Sequence, residues 1–125
     1  MNSDPYSATV RDLFRNPAHA GDLDDGFSTQ VREQGVRLCL TARAVGGSIR
    51  RLRFRAWGCP HVIAAAEAFC AGYEGRPAAD LQTFAAAQLM QSLPVPVEKT
   101  GRILVLEDAV RSLGQMLCDA SGRTD

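Results

Sequence analysis

The feature that most constrains this chain is a pair of alternating runs separated by two glycines. Val36, Leu38, Leu40 and Ala42 share one face, and beyond Gly46-Gly47 so do Leu52, Phe54 and Ala56. Successive side chains of a strand point to opposite sides, so each run reads as a strand with one buried face, and the diglycine as a hairpin turn. A lone hairpin is marginal in water. A run around Phe27 to Glu33, turning near Gln34-Gly35, supplies the third strand of an antiparallel sheet, and the sheet ends at Trp57-Gly58.

The flanks read as helix. Val10, Leu13 and Phe14 fall on one face of a short helix that stops near Asn16-Pro17, because a residue before proline avoids the helical region. Ala18 to Gly26, rich in glycine and aspartate, reads as a loop. After the sheet, Pro60 suits a first helical turn, Ile63, Ala66, Cys70 and Tyr73 recur on one face, and Gly75 with Pro77 ends the segment. A third helix is expected from about Ala79 to Ser92. Beyond the stiff Leu93-Pro94-Val95-Pro96 connector, a fourth carries Ile103, Leu106, Val110, Leu113 and Leu117. Strands first and helices after predict an α+β fold: a three-stranded antiparallel sheet with about four helices packed mainly on one face. At 125 residues the chain is one domain's worth, 1–125.

Lysine plus arginine equal aspartate plus glutamate at 14 each, so no net field points to nucleic acid or a membrane as the main partner. Apolar stretches such as Val62 to Ala66 fall far short of the ~20 residues needed to span a bilayer. Met1 to Asp4 lacks the basic-then-apolar order of a secretory signal. A cytoplasmic protein is expected, whose cysteines at 39, 59, 70 and 118 remain thiols.

One cysteine is placed for chemistry. In Arg55-Ala56-Trp57-Gly58-Cys59-Pro60-His61 a strand ends, a glycine turns the chain, and a thiol sits just before a helix. Backbone N–H groups and the helix dipole at that position favour thiolate, the form that attacks sulfur or binds metal, and a protonated His61 within reach would act the same way. Cys59 reads equally as a small buried apolar residue. Cys39 falls on the opposite sheet face from Leu38 and Leu40, and Cys70 lies roughly 16 Å along its helix from Cys59. Cys118 is near the far end of the last helix, so all three read as packing residues. His19 reads as a solvated loop histidine. Arg51, Arg53 and Arg55 alternate on one strand face, either solvated or docking an acidic partner. No histidine and carboxylate pattern accompanies Cys59, so an enzyme is not expected.

Several landmarks occur together in order: Tyr6-Ser7 with Val10, Asn16-Pro17 followed by Gly21-Asp22, the strand ending Phe54-Arg55-Ala56-Trp57-Gly58-Cys59, a helix running into Gly75, and Glu107-Asp108-Ala109. This ordered set, from Tyr6 to about Leu117, resembles the iron–sulfur cluster scaffold family of the IscU and NifU amino-terminal type. The resemblance implies the IscU/SufE-like fold and a role in iron–sulfur cluster assembly with a cysteine desulfurase. The family holds a 2Fe–2S cluster, or zinc when empty, with three cysteines helped by a histidine or aspartate.

Here only Cys59 falls on a family cysteine. The Ala-Cys-Gly-Asp turn of the family aligns with Val31-Arg32-Glu33-Gln34, placing Arg32 and Gln34 at ligand positions, and its His-Cys pair aligns with Gly101-Arg102. Two arginines at lost ligand positions would repel a cation and attract an anion, including the thiolate or persulfide of Cys59. The resemblance therefore implies a degenerate scaffold: either a sulfur acceptor with Cys59 as persulfide carrier, as in proteins of the SufE type, or a pseudo-scaffold that docks a desulfurase and carries nothing. Zinc or a cluster on Cys59 and His61 would need ligands from elsewhere, such as a homodimer sharing both residues from two copies. Leu93, Pro94, Val95 and Lys99 resemble the family's Leu-Pro-Pro-Val-Lys chaperone segment. Two extra residues interrupt it, which argues against an Hsp70-type chaperone and for a stiff connector.

Overall fold

The structure, a computed structural model, describes residues 8–33, 35–91, 93 and 95–122. The alternating runs form β2 (Val36–Val45) and β3 (Ser48–Trp57). They join at Gly46-Gly47, whose φ values of 61° and 81° lie in the region glycine enters freely. β1 (Phe27–Glu33) pairs antiparallel with β2 from Phe27↔Ala42 to Glu33↔Val36, so the sheet order is β1-β2-β3. β3 pairs with β2 from Arg37↔Trp57 to Val45↔Ser48, with an irregularity at Arg43/Ala44. Val36, Leu38, Leu40, Ala42, Leu52 and Phe54 are buried, which makes the face they share the core face.

Among the described residues four α-helices accompany the sheet: α1 (Ala8–Arg15), α2 (Pro60–Tyr73), α3 (Ala86–Met90) and α4 (Thr100–Gly122). α2 packs against β3, α4 against β1 and β2, and α1 against α2. The stripe Ile103, Leu106, Val110, Leu113 and Leu117 of α4 is buried, as its spacing predicts. Among the described residues no helix is long and apolar enough to cross a membrane.

The single third helix expected over Ala79 to Ser92 is instead a 3-10 turn, Ala78–Thr83, followed by the short α3. Phe84 and Ala85 break the helical run with ψ of 132° and 122°. Tertiary contacts outweigh the helical propensity of this alanine-rich stretch. The Phe84 ring stands edge-on to Phe69 and Tyr73 at 5.3 and 5.5 Å, and its carbonyl accepts Arg111 Nε at 2.9 Å. The Ala86 N–H donates to Glu107 Oε1 at 2.9 Å.

The edge of β3 is covered from Ile49 to Phe54. The Phe54 N–H donates to the His19 carbonyl at 3.0 Å and the Gly21 N–H to the Phe54 carbonyl at 2.8 Å. Farther along, the Ile49 N–H donates to the Arg76 carbonyl at 2.9 Å and the Gly75 N–H to the Ile49 carbonyl at 2.7 Å. From Gly21, beside β3, the chain must reach Phe27 on β1 at the opposite edge. The helices occupy the core face, so the connection crosses the outer face. Two ion pairs hold it there, Asp22 to Arg55 at 2.7 Å and Asp25 to Arg43 at 3.6 Å.

Candidate functional site

The site is built where β3 ends. Gly58 has φ of 120°, and a Cβ on it would stand 2.5 Å from the Gly35 carbonyl oxygen in the β1–β2 turn. This close backbone approach, open only to glycine, presses the start of α2 against the turn. Cys59 then becomes the N-cap residue, with φ of −143° and ψ of 126°. Its carbonyl accepts the N–H groups of Val62 and Ile63 at 3.0 and 3.1 Å, while Pro60 opens the helix without an N–H to satisfy.

The Cys59 Sγ lies 3.9 Å from His61 Nδ1, a contact that the spacing alone left open. Both residues are only 3% exposed. The thiol is therefore covered, and two copies of the chain cannot present Cys59 and His61 to each other unless that cover opens. A groove of about 440 Å³ between Phe14, Pro17, Ile63 and Trp57 lies nearby, but neither Cys59 nor His61 lines it.

The lost-ligand positions come to the same end of the molecule. Arg32 faces Arg37 across β1 and β2, and Arg37 faces Trp57 across β2 and β3, so all three stand at one register level. Leu117 and Cys118 line a cavity of about 570 Å³ with Gly46 and Gly47, at the hairpin end of the sheet. Gly101, exposed, and Arg102, half-buried, lie near the start of α4, about 25 Å along its axis from Cys118 at 1.5 Å per residue, toward the Cys59 end. Gln34 lies outside the described residues.

Cys59 and His61 are two donors, short of the three or four that a zinc or cluster site needs. Among the described residues no group of three or more histidine, cysteine, aspartate or glutamate side chains could hold one metal ion. The residues present here do not fit a complete cluster site. Cys118 sits at the opposite end, Cys39 is half-buried on the outer face between Gln30 and Arg55, and Cys70 is buried. Burial pushes the Cys70 thiol far above its ordinary value, with Glu67 and Glu74 adding to the rise and Arg53 opposing it.

His19 is not a solvated loop residue. Its N–H donates to Glu67 Oε1 at 2.7 Å, its Nδ1 meets Glu67 Oε2 at 2.5 Å, and its Nε2 meets Glu74 Oε1 at 3.2 Å. Glu74 Oε2 also accepts the Leu52 N–H at 2.9 Å and Arg53 at 3.0 Å. Burial works to raise the Glu74 carboxyl, but the Leu52 N–H, His19 and Arg53 outweigh it and hold it below the ordinary carboxylate value. This network clamps the loop and the β3 edge to α2. Arg53 and Arg55 are likewise engaged, with Glu74 and Asp22, while Arg51 is exposed. Of the connector, Leu93 is buried, Val95 and Lys99 are half-buried, and Pro94 lies outside the described residues. Lys99 closes a 3-10 turn, Val97–Lys99.

The family model for the NifU-like N-terminal domain matches residues 5–113. The chain belongs to this family. No curated protein sequence matches it. Among solved structures, this NifU-like chain is similar to the N-terminal part of a nitrogen-fixing NifU-like protein from Brucella abortus. The TM-score is 0.71 at 14% identity, over 90% of this chain and 94% of that one. It is also similar to a hypothetical protein, with a TM-score of 0.58 at 20% identity, over 89% and 91% of the two chains. A third is a protein from Fervidobacterium islandicum assigned as an iron–sulfur cluster assembly scaffold for the SUF system. Its TM-score is 0.58 at 15% identity, over 84% of this chain and 81% of that one. These likenesses establish a shared α+β fold. In this NifU-like domain Cys59 stands at the head of α2.

Proposed function

We propose that this NifU-like domain serves iron–sulfur cluster assembly as a scaffold-type protein and handles sulfur as a persulfide on Cys59, supplied by a cysteine desulfurase. The observation that carries this is the arrangement at the end of β3: one thiol at a helix N-cap, beside a histidine, at the end that also carries Arg32 and Arg102. The donor set suits sulfur better than metal. Persulfide transfer needs a single thiolate, whereas a cluster needs several ligands. In the transfer, the Cys59 thiolate attacks the terminal sulfur of the donor's cysteine persulfide. A new S–S bond forms at Cys59, the donor's S–S bond breaks, and the donor thiolate leaves, with no external oxidant consumed. Since Cys59 is 3% exposed, docking must first uncover it.

The same burial favours a second reading, in which the domain docks a desulfurase and Cys59 only packs. Intact mass separates the two. After incubation with a cysteine desulfurase and cysteine, the native chain gains sulfur and Cys59→Ser does not. A native chain that gains no sulfur while still binding the desulfurase leaves the docking module as the function.

A further inference from the structure

The outer face of the sheet is unlike the rest of this charge-balanced chain. Register places Arg32, Arg37, Arg43, Arg51, Arg53 and Arg55 on it, with Trp57. One half is already mostly matched by acid, with Arg51 at the far end the exception. The crossing segment Asp22-Leu23-Asp24-Asp25 lies on it, pairing Asp22 with Arg55 and Asp25 with Arg43, and Glu74 takes Arg53. The half nearer Cys59 is not matched. Arg32 and Arg37 are exposed and directly opposite each other across β1 and β2, and among the described residues no carboxylate lies within ion-pair distance of either. Like charges facing across a strand pair are destabilising. Beside them Trp57 is 45% exposed, with the Arg37 guanidinium 4.7 Å from the centre of its ring. A guanidinium over an aromatic ring still has N–H groups to offer a carboxylate.

We propose that the Arg32–Arg37–Trp57 patch docks an acidic, extended segment of a partner protein, which lies on the sheet as the chain's own Asp22–Asp25 segment does. The internal segment shows the chemistry the face accepts: aspartates laid across the strands, two of them, Asp22 and Asp25, each on an outward arginine. The same aspartates oppose a nucleic-acid backbone, because phosphates running on from the patch would meet Asp22, Asp24 and Asp25. Single-stranded nucleic acid also needs a row of stacking platforms, and Trp57 is the one tryptophan in the chain. The docking does not depend on sulfur chemistry at Cys59.

Trp57 reports on the patch directly. A labelled oligoglutamate peptide is titrated with the full chain at low salt, with anisotropy giving the affinity and tryptophan emission the location. The result expected is saturable binding with a change in Trp57 emission, weakened about tenfold or more in Arg32→Ala/Arg37→Ala. Arg51→Ala, at the other end of the face, should bind within about twofold of the native chain. Circular dichroism confirms that each variant is folded. The proposal is overturned by the absence of an emission change, by equal weakening in Arg51→Ala, or by oligothymidylate binding more tightly than the peptide.

Discussion

Replacing Gly58 by alanine tests the contact that sets the head of α2. At φ of 120° any side chain is strained, costing about 1–2 kcal/mol. The new Cβ would also stand 2.5 Å from the Gly35 carbonyl oxygen, so the turn must move, at a further cost of about 1–3 kcal/mol. Reduced freedom of the unfolded chain returns about 0.4–1 kcal/mol. The net expectation is a loss of about 2–4 kcal/mol, with the same offsets applied. Gly47→Ala is the control: its φ is also positive, at 81°, but nothing lies within 4 Å of the added methyl. It should lose only about 1 kcal/mol. Urea unfolding reads the difference as a midpoint for Gly58→Ala that is about 1 M lower than for Gly47→Ala, with the slope unchanged. The shifted turn should also raise the rate at which a thiol reagent reaches Cys59. Equal midpoints for the two variants would refute the contact as what seats Cys59.

Three further outcomes follow from the packing and charges. Gly114→Ala in α4 should destabilise by about 1–3 kcal/mol despite better helix propensity, because its Cβ would meet Leu81 Cβ at 2.7 Å; thermal unfolding measures it. The Glu74 carboxyl is held below its ordinary value of 4.5, so its stabilising contribution is complete above that value and disappears as pH falls through the lower folded one. Glu74→Gln should therefore lower stability near neutrality and lose less stability than the native chain as pH drops below 4.5, as urea midpoints along a pH series would show. Alkylation of the native fold at mildly alkaline pH should label half-buried Cys39 and Cys118 while sparing Cys70, which reacts only in denaturant.

The sheet was legible because its signal is local: alternation in Val36 to Ala42 and in Leu52 to Ala56 predicts the faces, and the diglycine predicts the turn. The burial of α4 follows in the same way from its stripe. The break at Phe84 was not legible, since it depends on Phe69, Tyr73, Glu107 and Arg111, which sequence distance hides. Cys59 and His61 could be placed because strand end, glycine and proline mark the head of α2. Glu67 was missed. An acid among Ala64, Ala65, Ala66, Phe69 and Cys70 is itself a signal that a buried charge has a partner. That partner, His19, lies in a loop 48 residues away, and no local pattern connects them. The burial of the Cys59 thiol was likewise beyond local reading, because it depends on the core cluster that residue joins.

The most direct measurement is to locate the sulfur. After reaction with a cysteine desulfurase and cysteine, the chain is trapped with an alkylating reagent under denaturing conditions and its peptides are fragmented in a mass spectrometer. A persulfide confined to Cys59, with Cys39, Cys70 and Cys118 recovered as plain thiols, is the predicted result. A persulfide on any of those three with Cys59 unmodified, or none on the chain, would contradict the role assigned to Cys59.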